Sequence, residues 1–347
     1  MPIWSSTIAI DDAFTHTWQA LRAESIDNIL DSVVVTALLR DLGCFKPQVG
    51  GDWIKRVIRY GEKTAVAITK GSILPDGEND IETSAWWTWR YIAAHIQRSL
   101  LDDQKNSGEA RIKELVKTKT QAAIDSCEQL IEDRFLAAHV SDDTAGGTSI
   151  QSLRDLLPAN ATAATLETDR AAGKYGSIAR PTTYSSTTAG TVSTATVGNT
   201  WWGPKYIKWT TPLAINLVDE MKKLYNSVHN NQEPPDAILC AQGIFETFET
   251  SAMDQSMIVR DEGTKIANLG FEVLRFKGKP MVWSSNMPVD NMMFLTSKYL
   301  EVIYDPNLWF DMTDWKPIPK QTERLAHIIS AMNVVATQPR RFGLGYV

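Results

Sequence analysis

The sequence is poor in the residues that most often announce chemistry. Its 347 residues include three cysteines, Cys44, Cys127 and Cys240, which are far apart and outside any CxxC pattern. An odd, scattered set disfavours both a disulfide framework and a zinc site, and these thiols read as small buried apolar residues. The five histidines, His16, His95, His139, His229 and His327, stand singly, outside HExxH or any other metal-ligand spacing. A GxSxG nucleophile elbow is absent, as is a phosphate-binding loop, which needs clustered glycines followed by Lys and Ser or Thr. Gly343-Leu344-Gly345 is not completed as GxGxxG. No cofactor and no catalytic residue are therefore expected, with a triad assembled only in space as the remaining enzyme alternative. Charge of one sign is lacking too. The 35 basic and 41 acidic residues leave −6, so no global positive field draws nucleic acid or anionic lipid. No run of about 20 apolar residues could span a membrane. The start, MPIWSSTIAIDD, lacks the basic leader and apolar core of a signal peptide, so synthesis and folding in a cytoplasm are expected.

What is present is ordinary globular material, 43% hydrophobic and 22% charged, long enough for about two compact units. From Ile10 to Leu39 apolar residues recur every three or four positions, which predicts one or two amphipathic helices ending at Gly43. Asp52–Arg59, Ala65–Lys70 and Ile81–Ile92 are β-compatible, the last carrying Trp86, Trp87, Trp89 and Tyr91, with the polar turn GSILPDGEND between them. A lone hairpin is marginal in water, and these indoles would expose a large apolar area. The excursion therefore needs cover, from another molecule or from the chain's own core. Gly108–Ala138 predicts a helix of about 45 Å, a spine, closed by the loop signal Ser141–Gly147.

The Ser- and Thr-rich stretch Thr182–Thr200 reads as a surface loop. Pro212–Val228 and Gly243–Asp254 read as helices flanking a strand at Ala237–Cys240, a local α/β alternation. Strands dominate the remainder, at Phe271–Phe276, Met281–Ser284, Met292–Thr296, Tyr299–Tyr304 and His327–Thr337. The acidic pairs Asp11-Asp12, Asp102-Asp103 and Asp142-Asp143 fall beside predicted helix ends, where capping explains them. Twelve tryptophans are many for this length, and tryptophan favours places where apolar area meets a polar rim.

This order of elements resembles the major capsid proteins of tailed bacteriophages, the Hong Kong 97-like family. The local matches are Tyr175-Gly176-Ser177-Ile178-Ala179-Arg180, then Trp201-Trp202 after the Ser/Thr-rich loop, with Ser177 where family members often have a second glycine. Further matches are Gly270–Met281, Met293-Phe294-Leu295-Thr296, Tyr299-Leu300 and Pro339-Arg340-Arg341. The resemblance implies an α+β capsid fold with an N-terminal arm (1–45), an extended β loop (46–93) and a peripheral domain with the spine helix (94–148). An axial domain (149–288) and C-terminal strands returning to the peripheral domain (289–347) complete it. It also implies a structural shell protein without catalysis, self-assembling into hexamers and pentamers of an icosahedral virion head. Its partners would be copies of itself, scaffolding, portal or decoration proteins, and packaged double-stranded DNA held without sequence specificity, with no membrane involved.

Interface candidates on this reading are Trp53, Trp86, Trp87, Trp89, Tyr91, Arg180, Trp201, Trp202, Arg340 and Arg341. Polar replacement of Trp86 and Trp87 is expected to impair assembly more than subunit folding. Ser141–Gly147 and Asp254–Asn268 are expected to absorb the difference between ring sizes. The rival readings are an encapsulin-like nanocompartment shell of the same fold and a soluble α/β enzyme with a hairpin lid.

Overall fold

The structure, a computed structural model, describes residues 33–61, 65–71, 80–99, 109–136, 149–156, 174–181, 183–186, 188–229, 233–254, 274–319 and 321–346. It begins with helix α1 (Val34–Asp41), which buries Val35, Leu38 and Leu39. Of the positions whose apolar spacing predicts a helix here, Leu38 is buried, while Val33 and Val34 are half-buried. Gly43, at φ +68°, turns the chain into strand β1 (Phe45–Pro47). A two-stranded hairpin follows, β2 (Trp53–Arg59) against β3 (Glu82–Thr88). The expected strand at Ala65–Lys70 does not form, and those residues are non-regular and exposed. The run expected to continue to Ile92 breaks at Trp89, and the chain leaves the hairpin as strand β4 (Arg90–Ser99).

Helix α2 (Glu109–Leu136) matches the predicted spine and at 28 residues is about 42 Å long. Ala123, Ile124, Cys127, Ile131 and Phe135 form its buried stripe. The sheet beneath it is organised by the longest strand, β18 (Glu323–Ala336). β18 runs antiparallel to β4 from Met332↔Arg90 to Glu323↔Ser99, and antiparallel to β15 (Leu300–Tyr304), which in turn pairs parallel with β1. β16 (Asp311–Met312) and β17 (Lys316–Pro317) also pair with β18. Residues 90–99 are thus locked to the last quarter of the chain, which places the base of the hairpin on a rigid sheet.

The second sheet has seven strands. In order they are β12 (Leu274–Phe276), β13 (Lys279–Trp283), β11 (Ala237–Cys240), β14 (Met292–Leu295), β19 (Gly343–Tyr346), β10 (Lys205–Lys208) and β8 (Val192–Ser193). Its central strands β11, β14 and β19 are buried along their whole length, as expected of strands covered on both faces. Helix α3 (Leu213–Val228) lays Leu217, Met221, Leu224 and Val228 on it, beside helix α4 (Gln242–Asp254). In β19 the GLG motif serves close packing. A Cβ on Gly345 would stand 1.7 Å from Trp209 Cζ2, and one on Gly343 would stand 2.8 Å from Val228 Cγ2.

Two further expectations require correction. Thr182–Thr200 is not simply a surface loop. It contains β7 (Thr183–Tyr184), β8 and β9 (Ala195–Val197), with β8 at the edge of the seven-stranded sheet and Ser193 fully buried. β7 and β9 pair with each other within the stretch, and β8 joins the sheet by pairing with the nearby β10, an arrangement that Ser/Thr-rich composition does not report. Residues 289–347 do not return as one body beside the spine, because β14 and β19 belong to the seven-stranded sheet while β15 to β18 belong to the other. Residues 1–32, Ser141–Gly147 and 255–268 lie outside the described residues. The cysteines are free and buried as expected, and burial pushes the Cys44 thiol up to about 12 and that of Cys127 to about 11.

Candidate assembly interface

Strand geometry decides which indoles can meet another molecule. In the β2–β3 ladder Ile54 faces Trp87 and Arg56 faces Ala85, while Trp53 faces Thr88, Lys55 faces Trp86 and Val57 faces Ser84. Side chains alternate along each strand, so Trp87 and Trp86 point to opposite faces. The inner face holds Ile54, Ile58, Ala85 and Trp87, all buried. The outer face holds Trp53 and Trp86, half-buried and packed edge to face at 4.3 Å, together with Val57 at 75% exposed. Tyr91, on β4, is 59% exposed.

The inner face is covered by the chain itself. Trp87 is 0% exposed, its ring edge-on to Tyr175 at 5.6 Å. Above it sits a tight hairpin of β5 (Lys174–Tyr175) and β6 (Ile178–Ala179), with a Cβ on Gly176 standing only 2.5 Å from Trp87 Cζ2. Gly176 and Ser177 both have positive φ, +57° and +64°, the signature of a type I′ turn. Ser177 therefore adopts the left-handed conformation that a glycine would take more cheaply, and the turn is kept. The Trp86 backbone N–H donates to Gly176 O at 3.1 Å, tying the two hairpins together.

This geometry corrects the interface list. Trp87 and Trp202 are core residues, and Trp202 Nε1 donates to Tyr175 O at 3.0 Å. Arg180 is also buried, its guanidinium 5.5 Å from the centre of the Tyr175 ring. The Tyr175–Arg180 segment and Trp202 thus form one internal cluster, completed by Tyr175 Oη accepting from Ala336 N at 2.8 Å. Trp89 is half-buried and donates through Nε1 to Gly51 O at 2.7 Å. Trp201 is half-buried and stacks on Tyr60 at 5.1 Å. Arg340 is exposed, while Arg341 is half-buried and donates through Nε to Gln338 Oε1 at 3.3 Å. Exposed or half-buried at the surface are Trp53, Trp86, Val57, Tyr60, Tyr91, Trp201 and Arg340. Val57 was missed because it does not stand out by residue type, and only the strand register shows it on the face of Trp53 and Trp86. Tyr60, just beyond the end of β2, was missed as well and is shown only by its stacking on Trp201.

The hairpin is anchored to the six-stranded sheet by charge. Glu301 on β15 receives Lys46 Nζ at 2.7 Å and Arg56 Nε at 2.8 Å, and its side chain is 12% exposed. Burial acts to raise the Glu301 carboxyl, but the two cations outweigh it and hold it below the usual carboxylate range. A depressed folded value means that the contribution is present above the ordinary carboxylate range and is lost as pH falls through the folded value. Glu301→Gln is expected to cost about 1–2 kcal/mol near neutral pH, after discounting the partly exposed cations. The gap to the unmodified chain should close as pH falls below the ordinary carboxylate range, as urea denaturation of the unassembled subunit would measure. An unchanged gap at acid pH would show that the pair does not anchor the hairpin.

Among the described residues no group of His, Cys, Asp and Glu is placed to hold a metal ion, and no helix is long and apolar enough to cross a membrane. A long spine helix, a sheet that ties the base of a Trp-bearing hairpin to the C-terminal strands, and a second, seven-stranded sheet make up an α+β fold. Neither a family model nor a curated protein matches the sequence. Solved structures do match the fold. A subunit of the cyanophage A-1(L) capsid superposes with a TM-score of 0.61 at 13% identity, over 89% of this chain and 91% of that one. The capsid of the native GTA particle gives 0.55 at 10% identity, over 89% of both chains. The SrpI encapsulin of Synechococcus elongatus PCC 7942 gives 0.50 at 9%, over 89% and 86%. The chain thus shares its fold with these capsid and encapsulin subunits.

Proposed function

We propose that this chain is the major capsid protein of a tailed double-stranded DNA bacteriophage, its hexamers and pentamers closing an icosahedral head. The observation that carries this reading is the agreement in fold with the cyanophage capsid subunit over 89% of the chain. The physical argument concerns the outer face of the hairpin. Trp53, Trp86 and Val57 form an apolar patch at the surface, and a neighbouring subunit would bury it. A closed shell needs such unlike, self-repeating contacts.

On this reading residues 46–93 are the extended loop lying across the next subunit and 1–45 a second contact arm. The spine helix with the six-stranded sheet forms the peripheral domain, and the seven-stranded sheet forms the axial domain. The role is structural and noncatalytic. The protein resides in the virion after assembly in the host cytoplasm, with scaffolding and portal proteins as partners and DNA held without base recognition. The net charge of −6 suits a container from which DNA must leave, since a basic lining would bind the genome tightly.

An encapsulin-like compartment is the second reading, favoured by the likeness to the SrpI encapsulin. Size-exclusion chromatography and negative-stain microscopy of the purified chain should reveal rings or megadalton shells, and a small soluble oligomer would overturn both readings. Shells that enclose a protein cargo in the native host, with no connection to a portal, would favour the compartment.

A further inference from the structure

Glu132 is a buried acid that shell formation leaves unexplained. It lies in the last two turns of α2 and is 7% exposed. Its Oε1 accepts from Val35 N at 3.2 Å and from Ser284 Oγ at 3.5 Å, and its Oε2 accepts from Thr36 Oγ1 at 3.5 Å. Val35 and Thr36 are the second and third residues of α1, where backbone N–H groups have no partner within the helix. The residue at the helix start, Val33, offers no side-chain oxygen to cap them. Glu132 supplies that cap from 97 residues away.

Ser284 follows β13, so a single carboxyl joins α1, the spine helix and the turn after β13. A second link between spine and turn runs from Asn286 Nδ2 to Asp133 Oδ1 at 2.9 Å. Beside the carboxyl opens a cavity of about 310 Å³. Among the described residues the titratable groups around it belong to α2: Asp125 and Glu128 line the cavity, and Asp133 adjoins Glu132. The lining from α1 and from the turn, Val33, Val34, Trp283, Ser284, Ser285 and Asn286, is uncharged, and Arg40 and Asp41 lie at the opposite end of α1. No cation in that lining compensates a charge on Glu132.

Burial therefore dominates and pushes the Glu132 carboxyl up to about 7, against the hydrogen bonds from Val35, Thr36 and Ser284. Two of the three donors are hydroxyls, which can equally accept a proton from a neutral carboxyl.

We infer that Glu132 is a proton-operated latch, holding α1 against the spine helix and the turn after β13 while it carries a proton and loosening that contact when the proton leaves. Undocked, Glu132 returns to the ordinary range of about 4.3, so docking takes up a proton. The sign follows from the raised folded value. The stabilisation is full at acid pH and is lost as pH rises through about 7. Between the two values each pH unit shifts docking about tenfold.

The test is hydrogen–deuterium exchange of the full chain, followed on peptides covering 33–42 and corrected for the intrinsic pH dependence of exchange. Protection of α1 should fall about tenfold per pH unit between pH 5 and 7 and level off above. Glu132→Gln, a neutral isostere that still accepts from Val35 N, should keep α1 protected across the whole range. Amides of Leu213–Val228 in α3 should not follow the trend, which separates local release from global unfolding. Coincident profiles for the unmodified and Glu132→Gln proteins, or protection that rises with pH, would overturn the latch. Neither result depends on whether the chain builds a shell.

Discussion

Two adjacent tryptophans are expected to give opposite phenotypes. Trp87→Ala should destabilise the isolated subunit by about 3–5 kcal/mol, because it empties a fully buried site beneath the Tyr175–Arg180 hairpin. Against a total stability of about 5–15 kcal/mol, a loss of this size is a large fraction of what holds the subunit folded. Replacing Trp53 and Trp86 together with serine should do the reverse. The edge-to-face contact adds about 0.5–1.5 kcal/mol beyond area burial, and both indoles are only half-buried, so the loss to the subunit is smaller than for Trp87 and the fold survives. A tryptophan buried at an interface contributes about 2 kcal/mol or more to each contact, and losing it raises the concentration needed for assembly roughly thirtyfold. The double variant should therefore melt normally yet elute as unassembled subunits. Thermal unfolding and size-exclusion chromatography on both proteins measure the contrast. Normal particles from the Trp53, Trp86 variant would remove the outer hairpin face from the assembly contact.

Gly345→Ala should be among the most damaging single methyl additions to this chain. The new Cβ would lie 1.7 Å from Trp209 Cζ2, far inside van der Waals contact. The indole cannot yield readily, since it is 1% exposed and its Nε1 donates to Asp290 O at 3.1 Å. β19 cannot withdraw either, because it is paired on one side with β10 and on the other with β14. We expect a loss of at least about 3 kcal/mol, at the upper end for overpacking. Gly278→Ala provides the control. Gly278 has φ +78°, and a Cβ added there would meet nothing within 4 Å, so only the backbone conformation resists, at about 1 kcal/mol. Urea denaturation of both variants compares a steric clash with a dihedral cost. Equal losses would show that β19 can shift.

The amino-acid order alone was enough to locate most regular elements. The apolar stripe of α2 and the patterns through β11 and α3 carry their own period, and that period follows from local backbone geometry. The three isolated thiols were likewise readable as small buried residues, and they are buried.

What only the tertiary structure decided is which way particular residues face. Trp86 and Trp87 are equivalent in any composition-based reading. Their difference comes from the β2–β3 register and from the Tyr175–Arg180 hairpin, which arrives from almost ninety residues away to cover one face. The same holds for β14 and β19, drawn into the seven-stranded sheet by partners distant in sequence, and for Glu132, an ordinary helical glutamate until α1 folds over it. Local periodicity is set by bonds a few residues long, whereas facing and burial are set by whichever remote segment packs alongside, and a single sequence does not display that segment's position.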